Sequence, residues 1–427
     1  MDKLIIEGGR PLEGTIRTCG SKNAVLPILA ASLLTGETLR ITGAPRLADV
    51  STMLDILRDL GADAEQSEDG TIEISAEGDI RGEAPWERVR RMRGSVCVMG
   101  PLLTRLGRAK VSLPGGCAFG VRPIDIHLKG LRALGAKVRI EHGYVVCEAP
   151  PGGLRGGRVF LGSANGPSVL GTANVVMAAT LARGTTTIEQ AACEPEIVDL
   201  CDCLVSMGAK ISGQGSPMIT VEGVDELHGA EHPVIPDRIE AGTYVLAGAL
   251  AGGQVRVENC VPTHLGALLD RMTEARVPYS VGEDWIETEA YDLGERPPRS
   301  TDVTTHAYPG FPTDLQAQWM ALMTKAEGLS IITERIFSDR WMHVPELERL
   351  GAQLRRQNTA VVVRGTRELS GAPVMASDLR ASAALVMAGL VARGTTEVHR
   401  VYHIDRGYEA IEERLQGIGA AIRREAE

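Results

Sequence analysis

The sequence predicts an α/β protein of two domains, each assembled from three copies of one supersecondary module. Three observations carry that expectation. The chain has 427 residues, 44% of them hydrophobic, ample for real cores and too long for one ordinary domain. Six apolar helical stretches each end at a glycine followed at once by a strand-like run; the glycines are Gly36, Gly107, Gly184, Gly252, Gly328 and Gly394. A second signature then recurs as Leu60-Gly61-Ala62, Leu134-Gly135-Ala136, Met207-Gly208-Ala209, Leu350-Gly351-Ala352 and Ile418-Gly419-Ala420, degenerating in the fourth unit to Glu274-Ala275-Arg276-Val277.

Each element of the module has a reason in its residues. The opening helix, as in Ala24-Val25-Leu26-Pro27-Ile28-Leu29-Ala30-Ala31, is apolar on every side and belongs inside a core. The strand after the glycine is rich in β-branched residues, as in Thr185-Thr186-Thr187-Ile188-Glu189. A polar turn, a second helix, the Leu-Gly-Ala signature and another strand complete the unit. Six units of roughly 70 residues fill the chain without a linker, and each buries its apolar face only against its neighbours. Alternating strands and helices with six internal helices imply sheets wrapped around central helices.

One register of this repeat is charged. Fourteen residues before each closing glycine stand Lys22, Arg93, Leu170, Arg238, Asp314 and Arg380. Cations at the start of a buried helix oppose its dipole, and an anionic ligand drawn by helix and side chain together would offset that cost. The bland reading pairs each cation with a local acid: Asp237 or Glu240 for Arg238, and Asp378 for Arg380. Lys22 and Arg93 have no acid close in sequence, which favours the ligand. Asp314 suits a helix start by its sign alone, so a purely structural acid is the competing reading there.

The segment Pro114-Gly115-Gly116-Cys117-Ala118-Phe119-Gly120-Val121-Arg122-Pro123 is the strongest local motif. Its glycines deliver Cys117 on an accessible loop, with Arg122 near enough to favour the thiolate. The competing reading is a glycine-rich turn that holds a small apolar residue.

Composition excludes several classes. Forty-five Lys and Arg against 55 Asp and Glu give a formal charge of −10, which argues against nucleic-acid and membrane-surface partners. Four Trp, seven Tyr and four Phe leave little for base stacking. No apolar run is long enough to span a bilayer, and Met1-Asp2-Lys3-Leu4-Ile5-Ile6-Glu7 does not read as a signal peptide. The eight cysteines form no disulfide framework, so cytoplasm is the expected compartment, with seven of them packed as small hydrophobes. His228 and His232 have a metal-like spacing, but Gly229 and Pro233 argue against the helix it needs; no metal is expected. His343 and His403 read as satisfied structural residues.

Over its full length the chain resembles the enolpyruvyl transferase family, in particular the UDP-N-acetylglucosamine enolpyruvyltransferases. The resemblance rests on Gly20-Ser21-Lys22-Asn23-Ala24, Pro114-Gly115-Gly116-Cys117, Arg122-Pro123-Ile124-Asp125, Glu194-Pro195-Glu196-Ile197-Val198-Asp199, Pro236-Asp237-Arg238-Ile239-Glu240, Phe311-Pro312-Thr313-Asp314, Met342-His343-Val344-Pro345-Glu346, Asp378-Leu379-Arg380-Ala381-Ser382 and Tyr402-His403-Ile404-Asp405-Arg406-Gly407-Tyr408. It implies two inside-out α/β barrels with threefold internal symmetry, residues 22–235 forming one and residues 1–21 with 236–427 the other, the active site lying in the cleft between them. It implies transfer of the enolpyruvyl group of phosphoenolpyruvate to the 3′-hydroxyl of UDP-N-acetylglucosamine, by addition and elimination, as the first committed step of peptidoglycan precursor synthesis. No cofactor is implied, and a monomer acting on small molecules is expected.

Carried over by position, Cys117 matches the family's proton donor, able to hold a covalent phosphoenolpyruvate adduct and to be alkylated by the epoxide fosfomycin. Asp314 matches the aspartate at the sugar hydroxyl. Lys22, Arg122 and Arg406 match the phosphoenolpyruvate clamp, and Asp378 and Arg380 match further residues near the reacting centre. Asn23, Arg93, Arg122, Pro123, Ile124, Asp125, Ile126, Ser168, Val169, Asp314 and Ile336 match positions that hold the nucleotide sugar. One departure stands out: Leu170 replaces a family glycine beside the diphosphate, which leaves Gly171 to supply that closeness. The rival readings are a 5-enolpyruvylshikimate-3-phosphate synthase, which lacks the Pro-Gly-Gly-Cys loop, and a silent paralogue that binds nucleotide sugar, against which Cys117, Asp314, Lys22 and Arg406 together argue.

Overall fold

The computed structural model describes residues 2–113, 124–164 and 166–426. They divide into two compact units: residues 20–113, 124–164 and 166–235, here the Lys22 unit, and residues 2–19 with 236–426, the Asp314 unit. Each carries three four-stranded sheets.

The six apolar segments are the inner helices. In the Lys22 unit they are Lys22–Ala31, Met99–Leu106 and Val169–Thr180; in the Asp314 unit, Arg238–Ala251, Gln316–Met323 and Leu379–Val391. The second and fifth are entered through the 3-10 turns Arg93–Val98 and Thr313–Leu315. Within each unit the inner helices pack on one another, the first meeting the second through its leading 3-10 turn. Leu29, Val175, Leu246, Leu322 and Leu385 have no exposed surface, and each such side chain stabilises its core by about 2 kcal/mol. The second and third inner helices come so close that a Cβ on Gly100 would lie 2.4 Å from the Asn174 carbonyl oxygen.

Left-handed turns punctuate the repeat. Gly107, Gly184, Gly252, Gly328 and Gly394 all have φ between +67° and +101°, releasing the chain from inner helix to strand. Gly36 is the exception. The first inner helix runs on into the 3-10 turn Ser32–Leu34, and Thr35 leaves it in extended conformation. Five Leu-Gly-Ala-type glycines, Gly61, Gly135, Gly208, Gly351 and Gly419, are likewise left-handed, and Arg276 of the degenerate unit adopts the same turn at φ +58°. The fold has kept the turn after losing its glycine, at a cost of about 1 kcal/mol.

Each sheet has one plan: an edge strand parallel to the strand after the inner helix, which pairs antiparallel with a hairpin. Three strands are supplied from distant parts of the chain. Ala230–Pro233, the last strand of the Lys22 unit, is the parallel edge of that unit's first sheet, beside Leu39–Thr42. Glu13–Arg17 plays the same part beside Gln254–Glu258. Asp2–Glu7 lies antiparallel between Thr395–His399 and Ala421–Ala426, standing in for the hairpin strand that the sixth repeat lacks.

Five of the seven described cysteines are buried as expected, while Cys19 and Cys193 are only partly so. Cys19 corrects the hydrophobic reading, since Arg414 Nη2 lies 2.8 Å from its sulfur. Burial, reinforced by Glu240, still pushes the thiol's pKa well up, so it stays protonated.

Candidate active site

In the Lys22 unit, Lys22 opens the first inner helix, whose N-cap Ser21 accepts from the Ala24 amide at 3.4 Å. Lys22, which has no acid close in sequence, finds one across elements. Asp49, on the outer helix Ala48–Leu60, places Oδ2 2.7 Å from Nζ, and both side chains are buried. Asn23 follows; Pro27, four residues on, has no N–H for its carbonyl.

Arg93 opens its 3-10 turn and lies electrostatically beside His127. Burial first, and Arg93 second, push the imidazole pKa down to about 3. Asn174 fixes the ring. Its Oδ1 accepts from the Gly100 amide at 2.7 Å, so its Nδ2 donates, to Val96 carbonyl at 3.0 Å and to His127 Nδ1 at 2.8 Å. The neutral ring therefore carries its proton on Nε2.

Ile124 is the N-cap of the outer helix Asp125–Ala133, and Asp125 and Ile126 form its first turn. Ser168 caps the third inner helix, accepting from the Gly171 amide at 3.1 Å, with Val169 the first helical residue. A Cβ on Gly171 would lie 3.0 Å from Ile126 Cγ2 and from Ser168, so a side chain there would press on both of these sequence-predicted residues. Cys117, Arg122 and Pro123 lie outside the described residues.

In the Asp314 unit, the structure joins three sequence-predicted residues in one cluster. Arg380 is almost wholly buried, with Nε 3.5 Å from Asp314 Oδ2 and its guanidinium carbon 5.3 Å from the Tyr408 ring centre. Among the described residues none offers its three nitrogens a hydrogen bond of normal geometry. Burial opposes its charge, but Tyr408, Asp314 and Asp237 outweigh that and raise its pKa. Asp378 does not form the ion pair that the bland reading offered for Arg380. Its Oδ1 caps the sixth inner helix, accepting from the Arg380 and Ala381 amides at 2.8 and 3.0 Å. Asp237 likewise caps the fourth, while Arg238 lies 5.4 Å from the Tyr308 ring centre.

Asp314 has a second cation that the sequence did not single out. Arg340 Nη1 donates to its Oδ1 at 2.7 Å and to Thr313 Oγ1 at 3.0 Å. Burial opposes this guanidinium's charge too, yet Asp314, Asp378 and Glu334 raise its pKa. Glu334, with no exposed surface, receives the Thr313 hydroxyl at 2.8 Å and the Ile336 amide at 2.7 Å, linking the segment that carries Asp314 to one more predicted position, Ile336.

Arg406 sits in the turn after the 3-10 segment Val401–His403. Its neighbour Asp405 is gripped by both terminal nitrogens of Arg424, at 3.0 and 2.6 Å. His343 and His403 correct the satisfied-histidine reading. Among the described residues both nitrogens of the buried His343 lack a partner, as does Nδ1 of His403, and burial pushes the His343 pKa down to about 4. His232 bonds Asp199 at 2.8 Å and His228 a backbone carbonyl, so they do not converge. Among the described residues, no group of three His, Cys, Asp or Glu could hold a metal, and no helix is long and apolar enough to cross a membrane.

Comparison with known proteins adds relatives to this geometry. The family model described as EPSP synthase (3-phosphoshikimate 1-carboxyvinyltransferase) matches residues 6–415. A protein of Anaeromyxobacter sp. (strain Fw109-5) named UDP-N-acetylglucosamine 1-carboxyvinyltransferase is 53% identical over 427 residues, covering all of both chains. One of the same name from Coxiella burnetii (strain RSA 493 / Nine Mile phase I) is 50% identical over 99% of this chain and 96% of its own. Among solved structures, the enolpyruvyl transferase NikO from Streptomyces tendae superposes with a TM-score of 0.88 at 26% identity, over 99% of this chain and 98% of that one. EPSP synthase from Acinetobacter baumannii reaches a TM-score of 0.71 at 19% identity over both whole chains, a likeness of fold.

Proposed function

The chain belongs to the EPSP synthase family, and from that membership we propose that it is a UDP-N-acetylglucosamine 1-carboxyvinyltransferase. It moves the enolpyruvyl group of phosphoenolpyruvate to the 3′-hydroxyl of UDP-N-acetylglucosamine and releases phosphate. The observation that carries this choice is identity of 50–53% over essentially the whole length to relatives of that name, against 19% to an EPSP synthase.

The chemistry asks for a proton donor at C3 of phosphoenolpyruvate, a base at the hydroxyl, and cations for a carboxylate and phosphate. Protonation of C3 lets the sugar oxygen bond to C2; loss of the C3 proton then expels phosphate and restores the double bond. We assign Cys117 as the proton donor and Asp314 as the group at the hydroxyl, where Arg340 and Arg380 hold its carboxylate. Lys22, Arg122 and Arg406 take the phosphoenolpyruvate, with Asp378 and Arg380 near the reacting centre. Guanidinium forks suit such anions because paired hydrogen bonds fix orientation as well as charge. Asn23, Arg93, Pro123, Ile124, Asp125, Ile126, Ser168, Val169 and Ile336 hold the nucleotide sugar. Asn23, Arg93, Ile124, Asp125, Ile126, Ser168 and Val169 stand at the starts of helices, where backbone amides favour an anion or a uracil edge.

The reaction needs no metal or organic cofactor, and the enzyme works in the cytoplasm as a monomer. The test is phosphate release from phosphoenolpyruvate with each acceptor in turn, with and without a chelator. Turnover with UDP-N-acetylglucosamine is expected. Turnover with shikimate 3-phosphate alone, or with neither, overturns the assignment.

A further inference from the structure

Glu334 has no exposed surface and lies between two segments that the proposed function uses. Its Oε1 accepts from the Thr305 hydroxyl at 2.7 Å and from the amides of Ile336 and Phe337 at 2.7 and 2.9 Å. Its Oε2 accepts from the Thr313 hydroxyl at 2.8 Å. Thr313 in turn accepts from Arg340 Nη1, and the same nitrogen donates to Asp314. The result is a directed chain, Arg340 to Thr313 to Glu334, with Asp314 held at its head.

The directions follow from what each group can do. Ionised Glu334 only accepts, so the Thr313 proton must point at it, which leaves the Thr313 lone pairs to face Arg340. That fixes the guanidinium at the place where it meets the Asp314 carboxylate. Burial makes such an arrangement strong when complete and costly when one link is wrong.

We propose that Glu334 is a positioning residue for the transfer reaction: through Thr313 and Arg340 it sets the Asp314 carboxylate, and through the 336–337 amides it independently sets the loop that meets the nucleotide sugar. The inference rests on the functional reading above. It separates two jobs on the two oxygens of one carboxylate, and chemistry can separate them too. In Glu334→Gln, the amide oxygen in the Oε1 position still receives Thr305, Ile336 and Phe337. The NH₂ group in the Oε2 position now donates to Thr313, which already accepts from Arg340, and the Thr313 proton loses its acceptor.

Glu334→Gln is therefore expected to lower kcat by about tenfold or more, the worth of a charge-assisted hydrogen bond, while KM and calorimetric Kd for UDP-N-acetylglucosamine stay within about twofold. Thr313→Val breaks the same chain from its middle and is expected to show the same split, and Thr313→Ser, which keeps the hydroxyl, to restore kcat. The two Thr313 variants decide the matter should the Gln variant fail to fold. Wild-type-like kcat in Glu334→Gln or Thr313→Val overturns the proposal. So does a fall in kcat matched by an equal loss of sugar-nucleotide affinity, the mark of general loosening. A wild-type enzyme inactive with this acceptor overturns the functional reading, and this inference with it; active wild type with unchanged variants overturns the positioning role alone.

Discussion

Replacing Asp49 by Asn puts the Lys22 pairing to a quantitative test. The Lys22 and Asp49 side chains are 10% and 4% exposed and 2.7 Å apart, so water screens them little. Removing one partner of a buried pair leaves the other charged without full compensation, which costs about 3–5 kcal/mol. Asn keeps the shape and one acceptor for the ammonium, so the low end, about 3 kcal/mol, is the expected loss. Urea unfolding measures it, with hydrogen exchange at the amides of the Lys22–Ala31 helix reading this unit. The pair's own share comes from a cycle with Lys22→Met: the double variant should be more stable than the two single losses summed, by about 2 kcal/mol. In the proposed clamp phosphoenolpyruvate brings its own anion to Lys22, so on that reading it should protect Asp49→Asn against unfolding more than it protects wild type. Additive single effects, or equal protection of both proteins by the ligand, would refute the reasoning.

Three further outcomes are expected. Burial and Asp237 push the Glu240 pKa up to about 7 from an ordinary 4.5. The folded state therefore holds that proton more tightly, and wild type loses stability as pH rises from about 4.5 to 7. Glu240→Gln, which can still serve the Cys19 amide and Tyr244, should match wild type at pH 4 and exceed it at pH 8 by on the order of 1–2 kcal/mol in urea titrations. Asn174→Ala leaves the Gly100 amide, Val96 carbonyl and His127 ring short of partners; a loss of about 3 kcal/mol and a raised KM for UDP-N-acetylglucosamine are expected, from unfolding and steady-state kinetics. Intact-mass spectrometry should find a fosfomycin adduct on wild type and none on Cys117→Ala, which should also lose most of its turnover.

The repeat was legible because left-handed turns and buried helices leave marks within a few residues. Glycines and apolar runs gave the register, and Arg276 shows the turn surviving where the mark did not. Strand exchange left no such mark. Nothing local in Ala230–Pro233 says that it completes the sheet of Leu39–Thr42. The site divides in the same way. Asp314 and Arg380 stand at helix starts in the charged register and were readable there, with Asp378 two residues before Arg380 as the cap of the same helix. Asp49, Asn174, Glu334 and Arg340 meet their partners across elements, so sequence proximity pointed elsewhere: to Asp378 for Arg380, and to no acid for Lys22. Arg340 did carry one faint signal, lying two residues before the Met342-His343-Val344-Pro345-Glu346 motif.

The strand Asp2–Glu7 has its two neighbours at Thr395–His399 and Ala421–Ala426. A ribosome therefore makes the first strand of that sheet long before either companion exists. At roughly 5–20 residues per second, it waits on the order of half a minute unpaired, with Leu4, Ile5 and Ile6 uncovered. The stretch between Gly20 and Ile235 can meanwhile complete its own sheets, since all of their strands lie within it. Birth order thus separates two halves of similar design, and the strand Asp2–Glu7, made before its neighbours, is where a chaperone or an unwanted strand partner finds its opening.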